Sequence, residues 1–73
     1  MADILILNEL GNTPVATAQS NDPIDGQSLH VTHLDPAALI HIGSEYQIGY
    51  DNRTHIHGRT CVAKAGNTAT FHL

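Results

Sequence analysis

Tryptophan is absent from this chain, and its 73 residues include one phenylalanine, two tyrosines and one cysteine. A single cysteine excludes an internal disulfide. Lysine and arginine together number three against seven acids, a net charge of −4. Nucleic-acid binding needs a basic footprint that displaces counterions from phosphates, so DNA and RNA are not expected partners. No window approaches the run of about eighteen apolar residues that a membrane-spanning helix requires. The first residues carry Asp3 and no basic cluster, so no secretory signal is expected. The lone Cys61 fits a reducing compartment, and a cytoplasmic location by default.

A chain this short forms one domain, residues 1–73, and buries only about 60% of its unfolded surface. Such domains gain stability from disulfides, a structural metal or burial against other subunits. With the disulfide excluded, a metal or an oligomer is expected. The apolar residues that are present are chiefly Ile, Leu, Val and Ala.

Alternation with period two dominates the pattern. Tyr46, Ile48 and Tyr50 alternate with Glu45, Gln47 and Gly49, which places them on one face of a strand. Asp51-Asn52-Arg53 breaks the pattern with turn-forming side chains. Gly66-Asn67 supplies a tight hairpin turn. In that hairpin Ala65 is expected opposite Thr68, Ala63 opposite Thr70 and Cys61 opposite His72, with Val62, Ala69, Phe71 and Leu73 on the core face.

Upstream, Ile4-Leu5-Ile6-Leu7 is a continuous apolar run, the mark of a strand covered on both faces. Pro14 can begin the next strand, and the polar stretch Val15–Ser20 suits an edge. Asn21–Gln27 is the longest loop. Ser28–Leu34 is a strand with Leu29 and Val31 on one face, and Ile40-His41-Ile42 a short one. Asp35-Pro36-Ala37-Ala38 suits either one helical turn or an extended corner. Strands about ten residues apart predict an all-β fold, a small antiparallel β-sandwich or barrel of six to seven short strands.

Chemistry-bearing motifs are few. No Gly-rich phosphate loop, Gly-x-Ser-x-Gly or local activating signature at Cys61 is present, so no enzyme is expected. Asp22 and Asp25 share a loop but lack the ligand count of a calcium-binding EF-hand. His55-Ile56-His57 is the sharpest signal. On a strand, its two imidazoles would project from one face about 6.6 Å apart. They could then share one Zn, Fe, Ni or Cu ion. The alternative is a pair of solvent-facing strand residues beside Arg59. His30, His33, His41 and His72 read as structural residues. Six histidines favour association that changes near pH 6.5, where imidazole ordinarily titrates, at about that value.

Gly49, five residues and then His55-Ile56-His57 resembles the first half of the cupin metal motif, which implies a transition metal at His55 and His57 in the mouth of a barrel. The glutamate that follows in cupins is replaced here by Cys61 or Val62. The same His-x-His also resembles the strand motif of trimeric phage spike tips. There a pair from each of three chains surrounds one iron, which implies a homo-oligomer with threefold symmetry. In composition the chain is similar to small bacteriophage virion proteins of the capsid decoration, or cement, type. That resemblance implies a structural module of the virion, assembled in the host cytoplasm, that binds a larger assembly such as a capsid lattice. The candidate interface is Ile4, Leu5, Ile6 and Leu7 with Phe71 and Leu73. A small metal-binding barrel, or an adaptor or inhibitor that caps a partner protein, is the competing expectation.

Overall fold

Every residue of the 1–73 chain is described by the computed structural model. It contains six strands: β1 (Ala2–Leu7), β2 (Pro14–Ser20), β3 (Ser28–Val31), β4 (Glu45–Tyr50), β5 (His57–Ala65) and β6 (Thr68–His72). All pairings are antiparallel, in the order β2-β1-β4-β5-β6-β3. The two outer strands then meet. Gln19 and Thr32 exchange both backbone hydrogen bonds, at 2.9 and 2.7 Å, and close the sheet into a barrel. The Ser20 hydroxyl adds a third link by donating to the His30 carbonyl at 2.6 Å. Closure covers the edge of β2 at Gln19 and Ser20 and leaves its first half open.

The barrel interior holds Ile4 and Ile6 of β1, Ala18 of β2, Leu29 and Val31 of β3, Tyr46 and Ile48 of β4, Cys61 of β5, and Ala69 and Phe71 of β6. Period-two alternation puts them there, as expected for β3, β4 and β6. Tyr46 meets Phe71 edge to face, with centroids 6.0 Å apart. The loop residues Ile24, Leu34 and Ile40 complete the core.

Three expectations are corrected. The first concerns β1. Ile4, Ile6, Leu7 and Phe71 are buried within this chain, so they present no surface to a partner. Leu7 is buried too, although it is not part of the core cluster that holds Ile4 and Ile6 and lies opposite Gln47 of β4. Of the six candidate interface residues, only half-buried Leu5 and exposed Leu73 reach solvent.

The second concerns the last hairpin. Ala65 and Thr68 pair as expected, and so do Ala63 and Thr70, but Cys61 lies opposite Phe71 rather than His72. A bulge between Cys61 and Ala63 inserts one residue and inverts the phase of β5. Cys61 therefore points into the core, while Val62 turns out to solvent.

The third concerns Ile40-His41-Ile42, which forms no strand. Ile40 is buried as a plug, and the His41 N–H donates to the Tyr46 hydroxyl at 2.8 Å instead of to a neighbouring strand. Asp35–Ala38 is a hydrogen-bonded turn, with the Asp35 side chain accepting from the Ala37 N–H at 2.9 Å and its carbonyl from the Ala38 N–H at 2.9 Å.

Candidate functional site

β5 begins at His57, so His55 and His57 do not share a strand. The segment between β4 and β5 is a compact turn. The Tyr50 N–H donates to the Thr54 carbonyl at 3.0 Å, the Arg53 N–H to the Tyr50 carbonyl at 2.9 Å, and the Thr54 hydroxyl to the Asn52 side chain at 2.6 Å. Arg53 and His55 adopt left-handed φ values of 65° and 55°. Non-glycine residues enter that region only when the surrounding bonds hold them there. The His55 ring stands edge-on to Tyr50, with centroids 5.4 Å apart.

His57 has a different partner. Its Nε2 lies 2.6 Å from Asp25 Oδ1, across the barrel mouth on the Asn21–Gln27 loop. A second histidine–aspartate pair holds the other end of that loop. Asp22 Oδ2 accepts from the His30 backbone N–H at 2.8 Å and lies 2.7 Å from the ring Nδ1. The backbone bond from His30 holds the Asp22 carboxyl below the usual aspartate range, the ring bond adds to the effect, and slight burial opposes it.

Arg59 lies beneath the same loop. It occupies an inward position on β5 in phase with Cys61 and is only 2% exposed. One guanidinium nitrogen donates to the carbonyls of Ile24 and Gly26 at 2.8 Å each, and the other to Gln27 at 3.3 Å. Its Nε–H has no partner in the chain. Burial pushes the Arg59 pKa down, partly offset by the negative charge of Asp25. The expectation that Arg59 lies with the histidines on a solvent face is therefore corrected. The loop between β2 and β3 is fastened at three points: Asp22 to His30, Asp25 to His57, and its carbonyls to Arg59.

Sequence reasoning missed the His57 and Arg59 contacts because their halves lie 32 to 35 residues apart. The available signal was phase: Arg59 shares a face with Cys61, two residues on. Nowhere do three or more His, Cys, Asp or Glu side chains converge as a ligand set. A metal held at His57 would have Asp25 as the one nearby carboxylate of this chain and would take its remaining ligands from water or from a second chain. Cys61 is buried, and burial pushes its thiol pKa up.

No family model, curated protein or solved structure matches the chain.

Proposed function

We propose that the chain is a structural interaction module, which associates with copies of itself and adds to a larger symmetric assembly in the manner of a capsid decoration protein. The observation that carries this reading is the apolar rim at one end of the barrel. Leu39 is 74% exposed, Ile42 65% and Val62 41%. They are not on a loose flap. The Gly43 N–H donates to the Cys61 carbonyl at 2.7 Å, the Cys61 N–H to the Ser44 carbonyl at 3.0 Å, and Lys64 Nζ to the Pro36 carbonyl at 3.3 Å. These bonds bring the segments that carry Ile42 and Val62 side by side, and large exposed apolar side chains on a fixed backbone suit a contact surface. This rim takes the place of β1 as the contact surface.

Native mass spectrometry of the untagged chain, with and without chelator, tests the proposal. The expected result is a metal-free oligomer that an Ile42→Asp, Val62→Asp variant returns to monomer. A wild-type chain that stays monomeric at high concentration would overturn it. A monomer that loses a transition metal to chelator would replace it with the metal-binding reading at His55 and His57.

A further inference from the structure

Beyond the Gln19–Thr32 bridge, β2 and β3 part. His33, with a φ of 57°, turns the chain away from β2. The edge of β2 from Val15 to Thr17 is left with a neighbour on one side only, β1. Its backbone direction follows from the ladder. Both polar groups of Gln19 point away from β1, because both bond to Thr32. Residues two apart on a strand point the same way, so the N–H and C=O of Thr17 also face outward. Neither makes a hydrogen bond outside the ladder.

A groove of about 510 Å³ runs along this edge, between Val15, Ala16 and Thr17 on one wall and His33, Asp35 and Ala38 on the other, with buried Leu34 also contributing. A second hollow of about 290 Å³ adjoins it at Thr17 and His33 and extends to Asp3, Gln19 and Asp51. Together they contain three carboxylates, Asp3, Asp35 and Asp51, and no lysine or arginine.

We propose that this edge binds an extended, positively charged peptide segment of a partner protein, which adds as a strand against β2. This site is independent of the apolar rim and of what the rim binds. The outward-facing N–H and C=O of Thr17 match the backbone of another strand, and strand addition at a free edge is a recurrent mode of peptide recognition. Small side chains at Ala16 and Ala38 leave room for the incoming backbone. The carboxylates select basic side chains on it. They also disfavour a second copy of this chain pairing edge to edge, because that would bring Asp3, Asp35 and Asp51 near their own counterparts.

The test uses the isotope-labelled full chain and two blocked peptides, Thr-Lys-Val-Lys-Val-Lys-Thr and the same sequence with glutamate for lysine. Amide spectra and hydrogen exchange are followed at Thr17. The basic peptide is expected to shift the Thr17 amide and slow its exchange, and the acidic peptide to do neither. Thr17→Pro removes an N–H the barrel does not use, and proline is tolerated at such an edge, so the variant should fold and bind at least about tenfold more weakly. If it does not fold, the Asp3→Lys, Asp35→Lys variant serves instead and should reverse the preference between the peptides. A Thr17 amide that does not respond to millimolar basic peptide would overturn the proposal. So would equal responses to both peptides, or protection of Thr17 that grows with protein concentration alone.

Discussion

The carbonyl oxygen of Thr54 lies 2.6 Å from where a β-carbon on Gly49 would stand, and the Ile56 Cα lies 3.0 Å from it. The turn that joins β4 to β5 passes directly over this glycine, and only a residue without a side chain fits beneath it. The interval from Gly49 to His55-Ile56-His57 therefore has a steric cause within this fold.

Gly49→Ala is expected to destabilise the barrel by about 1–3 kcal/mol, the usual cost of forcing a methyl group into a packed site. Gly58→Ala is the comparison. There the nearest atom is the flexible Gln47 side-chain amide, at 3.3 Å, which can move aside. Its cost should stay under about 1 kcal/mol. Thermal unfolding of the two variants distinguishes them, and equal shifts would show that the Thr54–Ile56 crossing does not constrain Gly49.

The contrast between strands and site shows what a linear sequence carries. Alternation at Tyr46, Ile48, Leu29 and Val31 correctly gave faces, because the period of a strand is a local property. Val62 departs from the alternation because a bulge shifts the phase without altering the composition around it. Ile40 and Ile42 have the spacing of a strand, yet one plugs the core and the other faces solvent. Asp22 and His30 are eight residues apart, but the hold of His57 and Arg59 on the Asn21–Gln27 loop spans 32 to 35 residues, and no local spacing encodes it.

Arg59 holds three loop carbonyls with a planar fork, so its replacement tests the fastening directly. Arg59→Ala leaves those acceptors without their donor and should cost about 2–4 kcal/mol. Arg59→Lys keeps the charge but not the fork, and should recover only a minor part of the loss. Hydrogen exchange at Gly26, whose N–H donates to the Pro23 carbonyl at 3.0 Å, reports on the loop itself. Unchanged exchange there in Arg59→Lys would mean that charge alone holds the loop.

Cys61 is fully buried opposite Phe71, and burial favours its neutral thiol. The thiolate is the reactive form, so modification requires opening of the barrel. A disulfide reagent at mildly alkaline pH should label the folded chain at least about a hundredfold more slowly than the urea-unfolded chain. The raised folded pKa also fixes a sign. The thiol's contribution to stability is intact below its unfolded value and is lost as pH rises through the folded one. Rapid labelling of the folded chain would show that the β5 bulge opens without global unfolding.

Acid should loosen the loop through Asp22. Its folded pKa lies below the ordinary value of 3.8, chiefly because it accepts the His30 backbone N–H. A depressed carboxyl pKa contributes fully above the unfolded value, and that contribution disappears as pH falls through the folded one. Asp22→Asn removes the titrating charge while preserving an acceptor oxygen. Wild type should therefore exceed the variant by a constant margin above about pH 5, and the margin should shrink below about pH 4. The carboxylate is about a third exposed, at 32%, so solvent screening limits the margin to under about 1 kcal/mol. Urea midpoints for both proteins across that range measure it. A margin that persisted unchanged into strong acid would show that the Asp22 charge has no part in holding the loop, and that neutral hydrogen bonds to His30 suffice.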